Sequence, residues 1–174
     1  MENIQQTLQT LFPEFQHELV SELAEAGVIQ HFSEGDTIMR TGQNIRSTVL
    51  VVDGLIKVYR EDEEGDEYFM YYLHPGEACA VSMICATKRE TSQVMARAAA
   101  DTEIIAIPIS LMDEWMKKYK TWYYFVLETY RNRFEELLQT IDHIAFRNMD
   151  ERLVFYLRKH QQSLKSNKIT ASFT

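Results

Sequence analysis

The rhythm of apolar and polar residues changes twice along the chain. After a short helical opening carrying Leu11, Phe12, Leu19 and Leu23, segments 47–52, 55–60 and 67–73 are rich in Val, Ile, Tyr and Phe. Residues 94–107, with Ile104, Ile105 and Ile107, supply one or two further runs before Pro108. Glycines at 42, 54, 65 and 76 punctuate these segments at intervals of 12, 11 and 11 residues. Short β-prone runs with turn signals about every 8–12 residues predict a sandwich or barrel of antiparallel strands.

From Ser110 the period becomes helical, and residues 109–174 contain neither Gly nor Pro. Ser110 with Asp113 fits a capping box opening a short helix to about Tyr119. A second helix from Thr121 carries Val126, Tyr130, Phe134, Leu137, Ile141 and Ile144 at spacings of 4, 4, 3, 4 and 3. Extended to Phe146 it is about 39 Å long, more than the roughly 30 Å of a compact sandwich. Part of the stripe is therefore expected to pair with a second copy in a two-stranded coiled coil; the competing reading packs all of it on its own sheet. Arg147, Asn148, Met149 and Asp150 look like a break, with Asp150 capping a further helix through Leu153, Val154 and Leu157. A polar loop at 163–168 and an apolar stub at 169–174 are expected to lead into a next element.

Charge follows the same division. The net charge of −8 separates into 12 Lys/Arg against 24 Asp/Glu in residues 1–146 and six against two in 147–174, that is −12 and +4. An acidic body is a poor phosphate binder, so any nucleic-acid contact belongs to the C-terminal end or beyond it. The acidic segment 61–67 reads as a solvated hairpin tip, with Gly65 supplying the positive φ such turns need; its spacing departs from a helix-flanked calcium loop. Two cysteines and no charged-then-apolar leader fit a cytoplasmic protein, and no apolar run approaches a membrane span of about 18 residues. Cys79, Cys85 and the five histidines lack zinc-ligand spacing, so no metal site is expected.

The order of these pieces resembles the bacterial CRP/FNR transcriptional regulators. The resemblance rests on segments 32–38 and 52–59 with Gly42, on the hairpin 63–67 followed by Leu73, His74, Pro75, Gly76 and Glu77, and on Asp150, Glu151, Arg152 and Leu153. It implies an α+β fold: an antiparallel β jelly roll (double-stranded β-helix, cyclic-nucleotide-binding-like) with N-terminal helices and a long C-terminal dimerisation helix. The expected divisions are N-terminal helices 1–31, jelly-roll sensor 32–108, short and long helices 109–146, then a hinge at Asn148, Met149 and Asp150 opening a truncated DNA-binding domain, 147–174. The implied function is effector sensing that alters the dimer helix and thereby DNA binding, through a helix-turn-helix that these residues do not contain. A homodimer, DNA and a small-molecule effector are the implied partners, with no membrane.

By the same resemblance the effector pocket involves Gly76, Glu77, Cys79, Ala80, Val81, Ser82, Arg89, Thr91 and Ser92. Cyclic-nucleotide-binding relatives carry a Gly-Glu pair for the ribose and an Arg-Ser or Arg-Thr for the phosphate. Here Ala80 and Val81 fall on the Gly-Glu position, and Glu90 follows Arg89 where it would oppose an anion. Arg97, a second candidate cation, is expected to project from a strand into solvent. A buried phosphate without a cation costs several kcal/mol, which argues against ordinary cyclic-AMP binding. Cys79 and Cys85 read as small buried side chains, with a redox pair, or haem held by Cys79 and His74, as the functional alternatives. Iron–sulfur sensing of the FNR kind needs four thiolates, and the chain has two cysteines. Two other functions compete: a stand-alone sensor and dimerisation module without DNA binding, and a cupin-like metal oxygenase. The enzyme is disfavoured because the strand region offers no His-x-His pair.

Overall fold

A computed structural model describes residues 2–83 and 91–146, together with 153–154 and 156–158. It divides into two units, Met1–Tyr130 and Arg131–Thr174. The first opens with helices α1 (Glu2–Leu11) and α2 (His17–Ala26). Among the described residues seven strands follow: β1 (Val28–Phe32), β2 (Thr37–Met39), β3 (Ser47–Asp53), β4 (Ile56–Glu61), β5 (Glu67–Leu73), β6 (Met95–Ala98) and β7 (Thr102–Pro108). A 3-10 turn (Ile109–Leu111) leads into α3 (Met112–Lys118) and α4 (Lys120–Phe146).

The strands form two antiparallel sheets, in the orders β1-β7-β3 and β2-β6-β4-β5. This is the expected α+β architecture of antiparallel sheets with helices. β1 begins at Val28, ahead of residue 32, because Val28–Phe32 pairs in register with β7. Strand alternation sends successive side chains of the three-stranded sheet to two apolar layers. Leu50, Ile105 and Ile107 pack against the helices, whereas Val51 and Ile104 meet Ile56, Val58, Tyr71 and Leu73 of the other sheet. With both faces covered, β7 reads as a nearly continuous apolar run.

Two turns close the sandwich. Gly54 (φ +88°) links β3 to β4 across the sheets, and a Cβ there would lie 2.3 Å from the Asp101 carbonyl oxygen. The Thr102 hydroxyl beside it accepts from the Leu55 amide at 3.2 Å and donates to the Ala100 carbonyl at 2.7 Å. At the β4–β5 hairpin the Asp62 carboxylate accepts from the amides of Glu64 and Asp66, and Gly65 has φ +89°.

The helix start at Ser110 differs from expectation. Pro108 leads directly into the 3-10 turn, and no side chain among the described residues caps that turn or α3. The Ile109 amide donates instead to the Arg46 carbonyl, which places Ser110 inside the first turn rather than at its cap.

Helices α2 and α3 are joined through Glu22. Its carboxylate accepts from Trp115 Nε1 at 2.7 Å, from Tyr119 Oη at 2.8 Å and from Lys118 Nζ. Lys118 and Tyr119 together hold the Glu22 carboxyl below the usual glutamate value, and Glu22 in turn holds Lys118 above the usual lysine value. Burial, reinforced by the bond to Glu22, raises the Tyr119 phenol.

Candidate functional site

Between the two sheets lies a cavity of about 490 Å³, within the roughly 300–1,000 Å³ of small-molecule sites. Small side chains leave this room: Cys79, Ala96 and Ala106 stand in the wall where larger residues would fill it. Ile56, Leu73 and Ile104 give the buried wall its apolar character. Exposed Gln43, Asn44 and Arg46, from the segment between β2 and β3, bring polar groups to the same cavity.

Of the residues expected at the effector pocket, Cys79 and Ser82 line this cavity. Ser82 is buried; its hydroxyl donates to the Cys79 carbonyl at 2.7 Å and lies 2.9 Å from the Thr48 hydroxyl. Gly76 and Glu77 hold the frame. The Gly76 amide donates to the Val51 carbonyl, and the Val51 amide donates to the Glu77 carbonyl. The Glu77 carboxylate accepts from the His74 amide at 2.8 Å, closing the turn before residues 80–83 become helical. Ala80 is buried and Val81 half-buried, packed against the apolar cluster between the sheets.

Thr91 bridges to Asn44, and the Ser92 amide donates to the Gln43 carbonyl, so this pair ties down the segment that carries Arg46. The Ser92 hydroxyl is bonded within its own turn, to the Val94 carbonyl at 2.8 Å. Arg89 and Cys85 lie outside the described residues, as does the hinge at Asn148, Met149 and Asp150. Among the described residues no three His, Cys, Asp or Glu side chains come together as a metal site, and His74 is not among the described lining residues of the cavity with Cys79.

Arg97 sits away from the cavity. It pairs with Glu67, as Lys57 does, and both cations lie over the Tyr59 ring, at 5.2 and 4.9 Å from its centroid. Burial raises the Tyr59 phenol, whose hydroxyl has no hydrogen-bond partner among the described residues.

The apolar stripe on α4 divides. Val126, 3% exposed, belongs to the core with Trp122 and Phe125, and Tyr130 is partly buried against it. In that first unit the exposed apolar residues of α4 are Tyr123, Tyr124 and Leu127. In the second unit Phe134, Leu137 and Ile141 are exposed, as is Leu138; the side chain of Ile144 lies outside the described residues. Val126 thus faces its own core, and Leu127, 45% exposed, takes its place in the series Tyr123, Leu127, Tyr130, Phe134, Leu137, Ile141. That series is spaced 4, 3, 4, 3 and 4, the heptad alternation of a coiled-coil seam.

Sequence reasoning missed Arg46, Gln43 and Asn44 at the cavity, and Leu127 on the helix. The polar run directly after Gly42, ending in an arginine before β3, was the available signal for the first group. The strict alternation of fours and threes was the signal for the second.

Among the described residues no helix is long and apolar enough to cross a membrane. Comparison with known proteins gives a consistent fold. A protein assigned to the CRP/FNR family of transcriptional regulators from Eubacterium rectale superposes with a TM-score of 0.77 at 21% identity, over 93% of this chain and 75% of that one. The global nitrogen regulator of Synechococcus elongatus is 25% identical over 129 residues, 74% of this chain and 58% of that protein. Human patatin-like phospholipase domain-containing protein 6 is 27% identical over 110 residues, 60% of this chain but only 8% of that much longer protein. The chain therefore spans a small part of one curated relative and just over half of the other. Residues 29–119, which hold all but the first residue of the two sheets and the cavity between them, match the cyclic nucleotide-binding domain, and the chain belongs to that family.

Proposed function

We propose that this chain is the effector-sensing and dimerisation part of a CRP/FNR-type transcriptional regulator. The cavity between the sheets takes a small-molecule effector, α4 pairs two copies, and a DNA-binding domain outside these residues reads the operator. The observation that carries this reading is the exposed alternation on α4. Phe134 is 60% exposed, Leu137 54% and Ile141 49%, at heptad spacing, in a chain that also carries a cavity-bearing domain of the cyclic nucleotide-binding family. The Synechococcus elongatus relative, a regulator by name, supports a regulatory rather than a catalytic role. A cytoplasmic location accompanies that role.

Coupling between the two sites is a matter of differential contacts. An effector that binds one arrangement of the helix pair more tightly shifts the pair toward it, with couplings of about 1–3 kcal/mol typical. Sedimentation of the 174-residue chain at tens of micromolar should show a dimer, and Phe134→Asp combined with Leu137→Asp should give a monomer that still melts cooperatively. A wild-type monomer under those conditions would refute the dimer.

A further inference from the structure

The polar and apolar groups of the cavity are segregated, and this restricts what can bind. The inference rests on the sensor reading above. The buried wall offers Ile56, Leu73, Ile104 and Ala96, with no charged side chain among the described lining residues that are buried. The Ser82 hydroxyl in that wall is already committed to Thr48 and to the Cys79 carbonyl. Arg46 is the one cation among the described lining residues, and no described carboxylate pairs with it. It sits at the exposed side with Gln43 and Asn44, on a segment anchored through the Ser92 amide and the Asn44–Thr91 bridge.

We infer that the effector is a small carboxylate with an apolar body. Its body lies between the sheets, and its carboxylate meets the Arg46 guanidinium, which offers a planar pair of donors matched to two carboxylate oxygens. A cyclic nucleotide fits this distribution poorly. None of the described lining residues carries a carboxylate to meet its ribose hydroxyl, and Arg97 is turned to Glu67 and Tyr59 rather than to the cavity. A carboxylate held at an exposed rim stays partly hydrated and avoids the burial of an unpaired anion.

The test is calorimetry on the 174-residue chain with four probes: octanoate, 4-phenylbutyrate, octan-1-ol and cyclic AMP. At least one of the two carboxylates should bind more tightly than octan-1-ol and cyclic AMP. Arg46→Gln should weaken that carboxylate roughly tenfold while leaving octan-1-ol unchanged. Ala106→Leu, which puts bulk into the cavity, should weaken carboxylate and alcohol alike; melting curves of both variants establish that they fold. Carboxylate binding indifferent to Arg46→Gln overturns the inference, and so does cyclic AMP binding more tightly than either carboxylate, which leaves the sensor reading standing. Absence of binding by all four probes overturns the inference and counts against the sensor reading as well.

Discussion

The three-stranded sheet is packed to different standards on its two faces. Toward the helices, Leu50, Ile105 and Ile107 meet a layer in which Phe12, Phe15, Trp115, Trp122 and Phe125 interlock. Phe12 stacks on Phe15 at 4.9 Å, and Phe125 meets both rings edge-on at 5.4 and 5.1 Å. Toward the other sheet the wall turns to alanine, cysteine and serine, and about 490 Å³ stays open. Both faces come from the same strands, alternating residue by residue. What differs is side-chain volume: large aromatics sealing one face anchor α3 and the first turns of α4, and small residues on the other leave open space. An open interior in an otherwise close-packed protein forgoes dispersion contacts, which makes it a feature to explain rather than a default.

The most severe break of this contrast is on the sealed face. Trp122 is fully buried against Phe15, Trp115 and Phe125, so Trp122→Ala should cost about 3–5 kcal/mol in urea unfolding. A loss below about 1 kcal/mol would mean that the aromatic layer is not what holds the first turns of α4 to the three-stranded sheet. Next in size is the turn joining the two sheets. Gly54→Ala combines a strained φ of +88° with a Cβ 2.6 Å from the Thr102 hydroxyl, and about 2–3 kcal/mol of lost stability is expected. The same denaturation measurement checks it.

The open face should respond in the opposite way. Ala106→Val adds two methyl groups where the cavity has space, so its stability should stay within about 1 kcal/mol of wild type rather than falling by the 1–3 kcal/mol of ordinary overpacking. A loss at the top of that overpacking range would show that the space is not available to side chains.

This asymmetry marks where the sequence is legible. The strands and their glycine turns could be read because apolar runs and turn residues act locally. The hairpin at 61–67 formed as its Asp and Gly residues require, with Asp62 accepting the turn amides. The cavity was only half legible. Cys79 and Ser82 line it, whereas the Glu77 carboxylate and the Ser92 hydroxyl bond backbone groups of their own turns, as such side chains beside a turn do, and Thr91 bridges to Asn44 through backbone. Arg46 was missed because its place at the cavity depends on which strands face each other, a long-range fact.

The helix illustrates the same limit. Val126 and Leu127 are neighbours of similar character, and periodicity from Val126 or from Leu127 looks nearly alike over the first turns. Only the packing of Trp122, Phe125 and Val126 on the sheet-side core decides which of the two is left exposed. Ser110 and Asp113 have the residue types of a capping box, yet Pro108 leads into the turn too early for Ser110 to cap it.

The smallest expected effect concerns the polar fastening of the sealed face. Glu22 ties α2 to α3 through Lys118, Tyr119 and Trp115, and its carboxyl is held below the ordinary value of 4.5, chiefly by the bonds from Lys118 and Tyr119. A carboxylate whose folded value is depressed contributes stability that is present above the unfolded value and disappears as pH falls through the folded one. The side chain is about one-third exposed, so solvent screening keeps the contribution small. Glu22→Gln should therefore melt slightly below wild type at neutral pH. The difference should shrink below pH 4.5, as the wild-type carboxyl protonates and comes to resemble the amide. Melting curves from pH 7 down to pH 3 check the sign. A difference that stays constant across that range would mean that shape, and not the carboxylate charge, is what Glu22 supplies to the α2–α3 contact.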